Sequence, residues 1–272
     1  MSAYTDIEVR IDDPVAVIRL NRPPRLNAFT YHTLSEIRRA INEAAADQRV
    51  VGIIITGAGR GFCAGLDAEV LAEVTAASDA PAATPEDQLP GIFSYLLEVP
   101  KPVIAAINGV AAGGGLILAL MSDLRFASSA ASFTTVFLKR GLVAEHGSTW
   151  LLPRLVGLGP ALDLLWMSDR ISAEEARELG LVDRVFNPDQ LLEEACTYVR
   201  RLAATSPPAA IAETKRLVYR HVGCGFETAL REAEVSQNRF VQAADAAEGA
   251  RAFIEKRAPQ FQRIGSGTNG SR

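Results

Sequence analysis

Short, unbroken apolar runs along the chain alternate with glycine-rich connections and with stretches of helical period. Val15–Leu20 is the first such run and predicts a strand. "VVGIIIT", Val50–Thr56, is continuous and β-branched, as expected of a strand buried on both faces. "PVIAAIN" repeats that pattern, and "DLRFAS" is a shorter strand after it. Between the first two runs, Thr30–Ala46 places Leu34, Ile37, Ile41 and Ala45 on one face of a helix. Strand, glycine loop and helix recur in series, so the pattern predicts an α/β fold of parallel βαβ construction.

After Pro160 the pattern changes. "ISAEEARELGLV", "QLLEEACTYVRRLAA", "PPAAIAETKRLVYRHV" and "AAEGARAFIEKRAPQF" read as amphipathic helices with little strand between them. The expected organisation is an α/β core over 1–190, a helical region over 191–264 and a disordered tail over 265–272. "TAASDAPAATPEDQLP", Thr75–Pro90, reads as a tolerant surface loop, and no repeat of solenoid period is present.

Composition narrows the function classes. The 272 residues are 48% apolar and 22% charged, as in a soluble globular protein. A net charge of -4 gives a nucleic-acid role no electrostatic footprint. Cys63, Cys196 and Cys224 lie far apart without CxxC spacing, which argues against a disulfide framework or a zinc site and fits the cytoplasm. "MSAYTDIEVRIDD" has no apolar signal region. Pro102–Ser122 is uncharged and long enough to span a bilayer, but Asn108-Gly109 and Gly113-Gly114-Gly115 break it into a buried strand, a turn and a buried helix.

Two glycine loops each follow a buried strand. Glycines 113–115 open an apolar helix whose first N–H groups lack intrahelical partners, a receptor for an anion or an oxyanion. The same glycines would also serve tight helix–strand packing. "GAGRGFCAGLD" has Phe62 where a dinucleotide fingerprint needs its third glycine, so it reads as a second loop offering backbone N–H groups. Two such loops at one sheet edge would aim two donors at one carbonyl oxygen.

"NRPPRLNAF", "GAGRGFCAGLD", "KPVIAAINGVAAGGGLILALMSDLRFA", "ISAEEARELGLVDRV" and "EGARAFIEKR" resemble, in order and spacing, the crotonase family of enoyl-CoA hydratases and isomerases. The resemblance covers Val9–Arg263. It implies a crotonase-type spiral of ββα repeats with a helical C-terminal trimerisation region, assembled as a homotrimer or a hexamer (a dimer of trimers). It implies an acyl-CoA substrate whose thioester oxygen is held by the N–H groups of Leu66 and Gly114. It places CoA contacts at Arg25, Leu26, Ala28, Ala64, Leu66, Asp67 and Gly114. Phe253 and Lys256 of the last helix join them, often across to a neighbouring subunit. Lys256 and Arg257 suit the CoA phosphates by charge, although an ordinary solvated helix end would look the same. No cofactor is implied, since coenzyme A is part of the substrate. The resemblance also gives Asp123 a strand-anchoring role without chemistry.

Family hydratases use two glutamates. By resemblance these fall at Ile117, three residues past the middle glycine, and at Phe137, four residues past Phe133. Both are apolar here, and hydration needs one carboxyl to activate water and another to deliver a proton. Members similar at "GLVAEHGSTWLLPR" include enoyl-CoA isomerases with a lone acid at the position of Glu145, and dienoyl-CoA isomerases also place a carboxylate there. Aroyl-CoA dehalogenases place a nucleophile there, but with a Trp where this chain has Phe137 and a His where it has Pro90.

A single carboxylate suffices to move a double bond, and apolar Ile117 and Phe137 would keep water from it. The expected activity is therefore 3-enoyl-CoA to 2-enoyl-CoA isomerisation, with Glu145, Leu66 and Gly114 as the catalytic set. The alternatives are a 2-enoyl-CoA hydratase, a carboxylate-assisted hydrolase or dehalogenase, and a non-catalytic acyl-CoA binding protein. Glu145 as a helix cap is the competing structural reading, although Ser148 and Thr149 are nearer. His146, next in sequence, is open to two readings: it orients Glu145 or contacts substrate, or, since adjacent side chains usually point apart, it is simply packed or exposed. His32 and His221 read as structural, and Trp150 as core.

Overall fold

The computed structural model describes residues 4–76 and 91–265. Loop 75–90 therefore lies outside the described residues except for its first two, and so does tail 266–272.

The chain opens with a hairpin that the apolar runs only half disclosed. β1 (Ile7–Asp12) pairs antiparallel with β2 (Val15–Leu20). β1 alternates buried and exposed positions, the mark of an edge strand, and its polar side hid it in the sequence. α1 (Tyr31–Ala46) starts where expected, because Thr30 and Thr33 form a reciprocal cap. Its buried face is rotated from the expected one and includes Thr33, Glu36, Ala40 and Ala44. Glu36 is inside because its carboxylate accepts the Thr5 and Asp6 backbone N–H groups at 2.9 Å each.

β3 (Gly52–Gly57) is buried throughout. Ile53 and Ile55 enter the main core and Ile54 faces the other side of the sheet. The chain then leaves the sheet for β4 (Gly61–Cys63) and α2 (Ala68–Ala76). The next turn repeats this path with β5 (Val103–Ile107), β6 (Val110–Ala112) and α3 (Gly114–Leu120). α3 has 7 residues, and among the described residues no helix is long and apolar enough to cross a membrane. β7 (Leu124–Ser128) and β8 (Ser132–Thr134) begin a third turn, continued by α4 (Ser148–Val156) and α5 (Leu158–Met167). β9 (Ile171–Ser172), α6 (Ala173–Glu178) and β10 (Arg184–Phe186) close it.

The first strand of each turn joins a sheet of order β1-β2-β3-β5-β7-β10, and the second joins a sheet of order β4-β6-β8-β9. All neighbours from β2 to β10 run parallel, as do β4, β6 and β8. This is a spiral of ββα repeats. β10 pairs parallel with β7 at the end of the expected α/β core, in a stretch where no strand had been singled out. Its three residues are too short to show a period.

Four helices follow: α7 (Leu191–Thr205), α8 (Pro208–His221), α9 (Phe226–Phe240) and α10 (Ala244–Glu255). α7 covers the outer face of the main sheet, where Ala195, Cys196 and Val199 pack on Ile54, Ile104 and Phe126. Asp123, the strand anchor, also ties α8 to the sheet. Its Oδ2 accepts the Val103 N–H (2.7 Å) and Lys215 Nζ (2.7 Å), and its Oδ1 accepts the Tyr219 hydroxyl (2.9 Å). Burial pushes the Lys215 ammonium below its usual range, against the pull of Asp123. Lys215→Met would leave a buried carboxylate short of its cation, so thermal melting should show a loss of about 3 kcal/mol, or about 5–10 °C in Tm. Restoring neutrality with Asp123→Asn in the same chain should recover part of it.

α8 and α9 are joined through Glu213, which accepts Arg216 (2.8 Å), the Ser236 hydroxyl and Arg239 (3.2 Å). The Arg216 hydrogen bonds, opposed by burial and aided by Ser236 and Arg239, hold the Glu213 carboxyl down to about 2. A folded-state value below the unfolded one stabilises above the unfolded value and is lost as pH falls through the folded value. Acid titration from pH 5 to pH 2 should therefore cost this hairpin at most about 3 kcal/mol. Amide exchange in α9 should rise over that window, and Glu213→Gln should flatten the response.

Candidate active site

Two backbone turns and the two glycine loops meet at the carboxyl edge of the strands. The turn after β2 puts Leu26 (φ 50°) and Asn27 (φ 57°) in left-handed backbone. Asn27 is buried and stitches that turn to the β3–β4 loop. It donates to the carbonyls of Ala58 (2.9 Å) and Gly61 (2.7 Å) and accepts the Arg22 N–H (2.9 Å). Ala64 N–H donates to the Leu26 carbonyl at 3.0 Å. Residues 25–28 and 64–67 are thereby side by side, which brings together the expected CoA contacts Arg25, Leu26, Ala28, Ala64, Leu66 and Asp67.

Phe29 fixes the first donor. Its N–H donates to the Gly65 carbonyl (2.9 Å) and its carbonyl accepts the Asp67 N–H (3.0 Å), forming a parallel bridge opposite Leu66. Both bonds go to the neighbours of Leu66, so the amide of Leu66 itself turns the other way. Among the described residues neither the Leu66 N–H nor the Gly114 N–H has a protein acceptor. The two loops are in contact, because a Cβ on Gly65 (φ 93°) would lie 2.8 Å from the Ala112 carbonyl and 3.1 Å from Gly114 N. Gly114 is equally confined, with the ring of Phe29 2.4 Å from where its Cβ would be. Glycine is required at both positions by close approach, which favours the receptor reading and tight packing together.

Asp67 is buried and committed to the scaffold. Its Oδ2 pairs with Arg22 at 3.2 Å, and its Oδ1 accepts the Glu69 N–H at the start of α2. Arg25 is exposed and paired with Glu69 at 2.9 Å. Cys63, just upstream, is no nucleophile: burial pushes its thiol up to about 12. Phe253 is 86% exposed, and Lys256 ends α10 in left-handed backbone. Neither has a hydrogen bond, ion pair or ring contact with the glycine loops of its own chain among the described residues.

Ile117 and Phe137 are buried in the main core. Glu145 is not: 48% of its side chain remains exposed, so the dry surroundings expected for it are not supplied by these two residues. Its side chain caps nothing. The turn into α4 is held by the Glu145 carbonyl, which accepts the Ser148 N–H (3.1 Å) and the Ser148 hydroxyl (2.9 Å). His146 does not point away. Its Nε2 lies 3.6 Å from Glu145 Oε2. Trp150 is on the outer face of α4 and stacks under Arg154 at 4.0 Å, because Leu151 and Leu152 take the inward positions.

Residues 91–92, which no motif singled out, link the His146 turn to Gly114. Gly91 (φ 99°) packs against His146, whose Cα is 3.7 Å from where a Cβ on Gly91 would be. The next residue, Ile92, reaches within 3.5 Å of the Cβ position of Gly114. Pro90-Gly91 was the available signal, a turn pair at the end of a loop. A separate cavity of about 540 Å³ lies under α8, lined by residues including Tyr198, Ile211, Lys215 and Tyr219. None of the expected site residues lines it, and Lys215 and Tyr219 in its wall are bonded to Asp123, with Lys215 also bonded to the Leu96 and Lys101 carbonyls.

Comparison with known proteins adds four findings. A family model described as enoyl-CoA hydratase/isomerase matches residues 10–264. A 1,2-epoxyphenylacetyl-CoA isomerase of Escherichia coli is 35% identical over 92% of this chain and 96% of its own. A short-chain-enoyl-CoA hydratase of Clostridium acetobutylicum is 36% identical over 89% of this chain and 92% of its own. Among solved structures, an enoyl-CoA hydratase/isomerase from Mycobacterium paratuberculosis superposes with a TM-score of 0.87. It is 32% identical, over 96% of this chain and 99% of its own.

Proposed function

The chain belongs to the enoyl-CoA hydratase/isomerase family, whose members act on acyl-CoA thioesters, and from that premise we propose that it converts 3-enoyl-CoA to 2-enoyl-CoA. Glu145 is the proton carrier, and the Leu66 and Gly114 N–H groups receive the thioester oxygen. The reading rests on one observation: at the two positions where family hydratases place their acids this chain has buried Ile117 and Phe137, while one carboxylate, Glu145, remains on the adjoining loop.

The step balances without another reactant. Glu145 takes the proton at C2, which the thioester acidifies, and the C2 electron pair spreads to the oxygen and to C4 as a dienolate. The two N–H donors stabilise that oxyanion more than the starting carbonyl, which lowers the barrier. Glu145 then returns the proton at C4, and the double bond rests between C2 and C3. Bound substrate supplies the cover that Glu145 lacks in the free chain, since an apolar acyl chain displaces water from the carboxylate. Exposed Phe226, Val235, Phe253 and Ile254 on α9 and α10 fit burial between copies in a homotrimer or hexamer.

Hydration is the second reading, carried by the hydratase names of several relatives. Purified protein given a 3-enoyl-CoA should form the conjugated thioester, and the same protein given a 2-enoyl-CoA in labelled water should incorporate little oxygen. Water addition outpacing double-bond migration would replace the isomerase reading with the hydratase one.

A further inference from the structure

His146 stands in backbone that side-chain-bearing residues rarely adopt. Its φ is 54°, and Gly147 follows at φ 81°. In extended or helical backbone, neighbouring side chains diverge. Here the left-handed turn swings the imidazole back beside its neighbour, with Nε2 3.6 Å from Glu145 Oε2. Such conformations cluster where a function requires them, and a glycine would adopt this one without strain.

We infer that His146 is a positioning residue, which holds one oxygen of Glu145 through its Nε2 so that the other oxygen serves the two substrate carbons. The inference rests on the isomerase reading of Glu145. A glutamate that is half exposed has several rotamers to lose before it can carry a proton between two carbons. The imidazole has less freedom: 27% of it is exposed, and it lies against the Gly91 backbone. Ile92 continues that contact to Gly114. A chain of contacts therefore runs from the carboxylate through His146 and 91–92 to one of the two oxyanion donors, and it fixes the base relative to the thioester oxygen. The 3.6 Å separation exceeds a hydrogen bond. Catalytic contacts in unliganded sites are often long and tighten on substrate, and here Nε2–H needs only a side-chain rotation to donate.

The test uses two substitutions. Asn tolerates left-handed backbone, so His146→Asn preserves the turn, and its short amide cannot reach Glu145. His146→Gln carries an amide nitrogen near the place of Nε2. With a 3-enoyl-CoA, His146→Asn should lose kcat by about tenfold to a hundredfold while KM and Tm stay put. His146→Gln should recover most of that loss. An Asn variant with wild-type kcat, or a Gln variant as slow as the Asn one, overturns the inference. Full activity in Glu145→Gln would instead overturn the isomerase reading, so the two failures are told apart.

Discussion

Replacing Glu145 with glutamine is expected to lower kcat for double-bond migration by about a thousandfold, within the range seen when a general base is lost. Glutamine keeps the size and polarity of the residue and removes its capacity to accept a proton. The turn survives, because it is the Glu145 carbonyl, not the carboxylate, that holds Ser148. Among the described residues the side chain makes no cap and has no ion-pair partner besides His146. Tm should therefore move by less than about 0.5 kcal/mol of stability, as for a surface substitution. Affinity for a CoA ester that cannot react should also be unchanged, since the proposed contacts to the nucleotide and the oxyanion donors lie elsewhere. The measurement is steady-state kinetics with a 3-enoyl-CoA beside a binding isotherm for acetyl-CoA. A variant that binds and turns over like the parent removes Glu145 from the chemistry.

Much of the architecture could be read from the chain because burial on both faces of a sheet writes itself as unbroken apolar runs. β3, β5 and β7 fall where "VVGIIIT", "PVIAAIN" and "DLRFAS" placed them. The second strand of each repeat could not be read that way. β4, β6 and β8 have three residues each, too short to show a period, and β4 and β6 sit inside the glycine loops, whose signal masked them. α9 was missed for a related reason. "FETALREAEVSQNRF" has apolar Phe226, Ala229, Leu230 and Ala233 at helical spacing, but its single buried residue among those described is Ser236, and charged and polar residues outnumber the stripe.

The two loops of the candidate site were legible because glycines after buried strands mark close approach, and the structure gives that approach its distances. The partnership of Glu145 and His146 was legible only as one of two open readings. Sequence adjacency argues for divergent side chains, and only a positive φ at His146 reverses this. Nothing local specifies that φ except Gly147 beside it. The surroundings of Glu145 failed in the opposite direction. Ile117 and Phe137 are apolar and near in family order, yet both turn into the core, and composition alone does not say which way a side chain faces.

Phe29 joins both proposed oxyanion donors, and this makes Gly114→Ala the second large expected loss. The backbone of Phe29 holds the residues either side of Leu66, and its ring lies against Gly114. An alanine Cβ at 114 would meet Phe29 Cζ at 2.4 Å and Cε1 at 3.0 Å. The ring cannot yield freely, because it is buried and packed edge-on against Phe93 at 5.6 Å. The start of α3 must move instead, taking the Gly114 N–H off the position where negative charge develops. Misplacing one such donor costs about a hundredfold to a thousandfold in kcat, with kcat/KM falling alongside because the interaction belongs to the transition state. Overpacking should also remove about 1–3 kcal/mol of stability, small enough to leave the chain folded. Phe29→Leu in the same chain removes the ring edge and keeps the backbone bridge to Gly65 and Asp67, so it should return part of the lost kcat. Recovery of stability without recovery of rate would mean that the Gly114 amide does not face the substrate oxygen.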